Sequence, residues 1–119
     1  MSKQSAVPRP LKRSEFVLVF ATSQAQKGWV DCLATARNAA VDAWECLTTT
    51  PDLESQRLYR LKGDFATGTY QGVTYERFQY EITDGGRIWY FIDRTPSEKK
   101  SAGCVLIERC NTGHPKETD

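Results

Sequence analysis

Between Gln24 and Thr48 the apolar residues keep to one helical face. Trp29, Leu33, Ala36, Ala40, Ala43 and Leu47 advance in steps of four, three, four, three and four, and Val30, Val41 and Trp44 widen the stripe. This spacing follows the 3.6-residue turn, so it predicts a long helical segment with one side buried. Arg37-Asn38 allows a turn, which leaves one long helix and a helical hairpin both open. Thr48–Pro51 ends the segment, because a residue before proline avoids helical geometry. A single apolar stripe must lie on a partner surface, and the rest of the chain has to supply it.

The flanking segments read as strands. Glu15–Ala21 is a continuous apolar run, as in a strand buried on both faces, and Thr22 or Ser23 can cap the following helix. Gln56–Leu61 alternates polar and apolar residues until Lys62-Gly63 breaks it. Phe65–Gly72 reads as a loop or a poorly regular strand. Val73–Thr83 and Arg87–Asp93 flank Asp84-Gly85-Gly86, a strong hairpin signal. Arg94–Gly103 is a turn or exposed loop, Gly103–Arg109 a last strand, and Cys110–Asp119 a polar tail. The expected fold is α+β: a mostly antiparallel sheet of four to five strands, with one long helix or a helical hairpin on one face. Trp29 and Trp44 are expected in the core, and the first strand beside the last. One domain over residues 15–119 follows a flexible basic leader over residues 1–14, which carries Lys3, Arg9, Lys12 and Arg13 and no acid.

With 119 residues, 39% hydrophobic and 26% charged, the chain has the composition of a single globular domain. No apolar run is long enough to span a bilayer, and the first ten residues are polar, so a cytoplasmic protein is expected. A net charge of +1 gives no global argument for a polyanionic partner. Cys32, Cys46, Cys104 and Cys110 form no C-x-x-C pair, and the single histidine, His114, cannot complete a Cys2His2 set. Buried free thiols are therefore expected, with no metal and no cofactor.

The order of elements, at this length, resembles the RelE/ParE toxin superfamily, and several local features carry the likeness. Leu61-Lys62-Gly63 follows the helices where the family tends to have a leucine, a basic residue and glycine. Tyr75-Glu76-Arg77-Phe78-Gln79-Tyr80-Glu81 is similar to the family strand with an arginine among alternating apolar residues, and Arg87-Ile88-Trp89-Tyr90 to the strand after it. Val105–Glu108 with Gly113-His114-Pro115-Lys116 looks like the closing strand and histidine-bearing tail of an actinobacterial-type subgroup. The likeness spans residues 15–118, although the chain has fewer lysines and arginines than the family's ribonucleases concentrate in their sites.

The resemblance implies a toxin neutralised by a cognate antitoxin protein and acting on mRNA on the ribosome, with a homodimer as an open alternative. It implies metal-free cleavage by 2′-OH attack on the adjacent phosphate. That reaction needs a base, cations for the developing charge and an acid for the leaving oxygen. His114 is the candidate for proton transfer at neutral pH, with Glu76 as the rival base. Arg77 and Arg87 are candidate phosphate forks, and Lys62 and Lys116 further phosphate contacts. Tyr75, Tyr80, Tyr90 and Trp89 offer base-stacking surfaces, about half of which alternation must turn toward the helices. The alternatives are a ParE-like inhibitor of DNA gyrase and a non-catalytic binding protein that keeps the fold.

Overall fold

A computed structural model describes residues 14–95 and 102–113. The elements run β1 (Phe16–Phe20), α1 (Ser23–Thr35), α2 (Arg37–Thr49), β2 (Leu58–Arg60), a 3-10 turn (Gly63–Phe65), β3 (Thr67–Tyr70), β4 (Val73–Glu76), β5 (Phe78–Thr83), β6 (Gly86–Asp93) and β7 (Gly103–Asn111). Five strands make one sheet in the order β1-β7-β6-β5-β2. All neighbours are antiparallel except β1 and β7, which run parallel, so the first strand does lie beside the last. The architecture is α+β, with two helices packed on a mostly antiparallel sheet. Most of the basic leader lies outside the described residues. Among the described residues no helix is long and apolar enough to cross a membrane.

The long stripe is interrupted at one residue. Ala36 leaves helical geometry (φ −147°, ψ 58°), one position before the expected turn. Hydrogen bonds from Ala36 N–H to the Cys32 carbonyl (2.7 Å) and from Ala40 N–H to the Ala36 carbonyl (2.9 Å) carry the ladder across the break. At the other end of α1 the Thr22 hydroxyl accepts from the Ala25 N–H at 3.0 Å, a standard N-cap, and donates to the Glu108 carbonyl of β7 at 2.7 Å.

The break rotates the buried face of α1. α2 buries Ala40, Ala43 and Leu47, as the stripe predicts, but α1 buries Ala25, Gly28 and Cys32 in place of Trp29 and Leu33. Trp29 is partly buried and packs with Leu33 against the edge of the core, Trp44 is partly buried outside that cluster, and Val30 and Val41 are exposed, so neither tryptophan has the fully buried place expected of it. The cause is close seating of α1 on β7. A Cβ on Gly28 would stand 1.8 Å from the Cys110 carbonyl oxygen, so no large side chain fits along that line.

Leu58, Phe78, Tyr80, Ile82, Ile88, Tyr90, Val105 and Ile107 fill the core under the helices. Alternation sends Tyr59, Gln79, Glu81, Arg87, Trp89, Phe91 and Leu106 to the opposite face. The Asp84-Gly85 turn joins β5 and β6 as expected, with Gly85 at φ 85°. Val73–Thr83 is not one strand: it breaks at Arg77, so that β4 pairs with β3 in a separate two-stranded hairpin. Gln71 and Gly72 form its turn with φ of 52° and 80°, the mirror-image geometry that matches strand twist. Part of Phe65–Gly72 is thus strand β3. The hairpin folds back over the sheet face away from the helices, where Tyr75 stacks on Phe91 (centroids 5.5 Å apart) and Phe65 leans on Trp89 (5.4 Å).

Candidate nucleic-acid interface

Arg77 sits at the bend between β4 and β5, and its geometry decides what the rest of the face can do. Its Nε and Nη2 donate to the two carboxylate oxygens of Glu108 at 2.8 and 2.9 Å. Its Nη1 donates to the carbonyls of Phe65 (3.1 Å) and Thr67 (3.0 Å). Its guanidinium carbon lies 5.2 Å from the Trp89 ring centroid and 5.5 Å from that of Phe91. A Cβ on Gly68 would fall 2.3 Å from Arg77 Nη2 and 2.8 Å from the Phe91 ring, so the hairpin closes this far only because residue 68 is glycine. Four of the five N–H groups a guanidinium carries are engaged, and the side chain is only 12% exposed. Arg77 is therefore a clamp between the hairpin and β7. Phosphate would have to displace Glu108 to reach it, which corrects its reading as a phosphate fork.

Glu108 reaches Arg77 because β7 bulges there. Trp89 pairs with Arg109 while Tyr90 pairs with Ile107, which leaves Glu108 as the extra residue. A bulge re-aims the side chains around it, so Glu108 and Arg109 both serve the face away from the helices.

Beyond the hairpin that face stays open. Arg87 is exposed on β6, opposite Glu81 on β5 and Asn111 on β7. With Trp89, Arg109 and Asn111 it lines a hollow of about 190 Å³. The Arg109 guanidinium carbon is 5.5 Å from the Trp89 centroid, within cation–π range. A hydrogen-bonded chain fixes the indole from behind. Trp89 Nε1 donates to Gln79 Oε1 (2.7 Å), Gln79 Nε2 to the Tyr59 hydroxyl (2.7 Å), and that hydroxyl to Glu81 Oε2 (2.5 Å). Donation to the Glu81 carboxylate holds the Tyr59 phenol above its usual pKa. Two guanidinium groups, an aromatic ring with exposed Phe65 beside it, and a carboxylate suit the phosphates and unstacked bases of a single-stranded nucleic acid.

The other expected site residues fall in different places. Glu76 is exposed on β4 and ion-paired to Arg60 at 2.8 Å, lining a hollow with Asp52, Glu54 and Arg94 and not the one beside Arg87. Tyr75 is half-buried on Phe91, and Lys62 is exposed near Tyr59 and Arg60. Tyr90 is fully buried under the helices and donates to the Pro51 carbonyl at 2.6 Å, so its reading as a base-stacking residue is corrected; Tyr80 is buried on the same side. Even positions on β5 and β6 face inward, which assigns both tyrosines to the core. His114 and Lys116 lie outside the described residues. Gly113, the last described residue, packs against Gly85 and Gly86 at the turn next to Arg87. All four cysteines are free thiols, with Cys32 and Cys110 buried and Cys46 and Cys104 partly so.

Sequence reading missed Glu81 and Arg109. Glu81 was within reach, since a turn at Asp84-Gly85 sets it nearly opposite Arg87. Arg109 was not, because its direction depends on the bulge at Glu108, for which the sequence carries no signal. No protein family, curated protein or solved structure matches the chain.

Proposed function

We propose that the chain is a RelE/ParE-like toxin of a type II toxin–antitoxin pair, a cytoplasmic endoribonuclease that cuts ribosome-bound mRNA without a metal. The observation that carries this reading is the placement of Arg87 and Arg109 around the Trp89 ring, on the open sheet face and at the end where the chain continues through Gly113 to His114. The order of elements, with the first strand parallel to the last, supports the resemblance read from the sequence.

In this reading Arg87 and Arg109 hold the scissile phosphate and Trp89 and Phe65 stack a neighbouring base. Glu81, in place of Glu76, removes the 2′-OH proton; the alkoxide attacks phosphorus, and the bond to the 5′-oxygen breaks as His114 protonates the leaving group. The two arginines stabilise the charge that develops on the non-bridging oxygens. The antitoxin protein neutralises the activity when it binds.

Expression of the chain should arrest growth and cut translated mRNA, and Arg87→Ala, Arg109→Ala and His114→Ala should each relieve both effects. Purified protein should bind single-stranded RNA with a salt dependence whose slope falls by roughly 0.7 for each phosphate contact removed. Arrest with intact mRNA and gyrase-linked DNA damage overturns the ribonuclease reading. One observation favours a second reading, a binding protein without catalysis: Arg77 is engaged by Glu108 and leaves the site with two arginines. That reading expects RNA or antitoxin binding, no cleavage and no growth defect.

A further inference from the structure

The tightest contact between helix and sheet plays no part in the proposed site. Gln24, Gly28 and Cys32 are spaced by four residues, on one line along α1, and all three meet Cys110 of β7. Gln24 Nε2 donates to the Cys110 carbonyl at 2.9 Å, and the Cys110 N–H donates to Gln24 Oε1 at 3.2 Å. Gly28 lets the helix down onto the same carbonyl. One turn on, Cys32 Sγ lies 3.8 Å from Cys110 Sγ, and both residues are 0% exposed. Two sulphur atoms held this close need to approach by only about 1.8 Å more to reach bonding distance. Among the described residues no His, Cys, Asp or Glu cluster of three completes a metal site around them.

We propose that Cys32 and Cys110 are a thiol pair that hydrogen peroxide converts into a disulfide, locking α1 onto β7. Burial selects a small neutral oxidant. A hollow of about 400 Å³ between Gln24, Lys27, Gly28, Asp31 and Cys110 brings solvent to the edge of the pair. The hydrogen bond from the Cys110 thiol holds the Cys32 thiol below its usual pKa, and the same bond together with burial raises that of Cys110. Cys32 is accordingly the attacking thiolate. It attacks one peroxide oxygen, the O–O bond breaks, and the departing hydroxide takes up the proton Cys32 gave away, leaving a sulfenic acid and one water. The Cys110 sulphur then attacks the sulfenic sulphur, the S–O bond breaks, and hydroxide leaves with the Cys110 proton as the second water. Two thiols lose two electrons in all, and one peroxide becomes two waters. The lock acts on the strand end that carries Arg109 and Asn111, and its chemistry does not depend on what that face binds.

Trypsin places the four cysteines in four different peptides, so mapping is unambiguous. The full chain is treated with hydrogen peroxide, quenched with catalase, denatured, alkylated and digested without reductant. The expected product joins residues 28–37 to residues 110–116, disappears with dithiothreitol, and is absent from Cys32→Ser. A link across a sequence separation of 78 should also raise the melting temperature of the oxidised protein, by roughly 18 °C if the closed loop is unstrained. Recovery of Cys32 and Cys110 as alkylated thiols or as sulfinic acids, or linkage of either to Cys46 or Cys104, overturns the proposal. A double variant, Cys46→Ser with Cys104→Ser, keeps the pair intact and should still form the link.

Discussion

Arg77→Ala separates two roles for one guanidinium. If Arg77 is the clamp between hairpin and sheet, its loss appears as stability, whether or not RNA is present. Truncation strips both oxygens of Glu108 of their donor and releases the carbonyls of Phe65 and Thr67. Removing one partner of a buried ion pair costs roughly 3–5 kcal/mol. The side chains here are 12% and 26% exposed, so water recovers part of that and the pair belongs near the lower bound, about 3 kcal/mol. Loss of the guanidinium over Trp89 and Phe91 adds about 1 kcal/mol. A chain of 119 residues unfolds with an entropy of about 0.25 kcal/mol/K. A loss of about 3–4 kcal/mol therefore lowers the melting temperature by roughly 12–16 °C. Glu108→Ala should cost nearly as much, and the double variant little more than either single one, giving a coupling of at least about 2 kcal/mol. Arg77→Met with Glu108→Leu should regain part of the loss, since no charge is left unpaired. Thermal and urea melts of the four proteins decide it. An Arg77→Ala protein that melts within a few degrees of the parent but loses RNA binding would refute the clamp and restore Arg77 as a ligand group.

Two other perturbations test the fold around the site. Gly28→Ala places a methyl group 1.8 Å from a backbone carbonyl of β7, so it should destabilise by more than the roughly 1–3 kcal/mol of ordinary overpacking, even though alanine favours helix by about 1 kcal/mol; a raised urea midpoint would show that α1 does not seat where described. Burial holds the Tyr90 phenol above its ordinary pKa, so the folded protein keeps that proton at a pH where the unfolded chain loses it. The contribution is complete below the unfolded value of about 10 and falls by about 1.4 kcal/mol per pH unit above it until the folded phenol ionises. Tyr90→Phe should remove roughly 1 kcal/mol of the fall in stability between about pH 10 and 11, and parallel curves for the two proteins would rule out a buried phenol.

The sequence was most informative where one residue type answers one local demand. Asp84-Gly85 set the β5–β6 turn, alternation divided the strands into two faces, and the stripe placed Ala40, Ala43 and Leu47 against the sheet. It misled where a single position puts the segments on its two sides out of phase with each other. Ala36 is a good helix former, so nothing in its chemistry announces the break, yet the break exchanges Trp29 for Gly28 at the sheet. Large apolar residues read as core by hydropathy alone, but α1 approaches β7 too closely for a tryptophan to stand between them. The split at Arg77 was hidden for a related reason. Val73–Thr83 alternates well enough to be one strand, and what ends it is a side chain whose partner lies 31 residues further along. The candidate site inherits both limits: Arg87, on a regular strand beside a clear turn, was legible, while Arg109 depended on a bulge and Arg77 on a tertiary contact.

The clamp also explains why the open face has the shape it does. Five twisted strands with helices on one side leave a second face that must be either polar or covered. This chain divides it. Phe91 and Leu106, apolar and nearly fully buried, lie on the half the β3–β4 hairpin covers, while Tyr59, Glu81 and Arg87 lie on the half that stays open. Trp89 stands on the border, with the Arg77 carbon 5.2 Å from its ring, that of Arg109 5.5 Å away and Phe65 beside it. An indole held by Gln79 and flanked in this way has few orientations left, so a base stacking on it meets a surface ordered in advance. Covering one half of the face is therefore what orders the other half: the guanidinium that Glu108 engages also packs on the ring against which, in the proposed function, a nucleotide would be read.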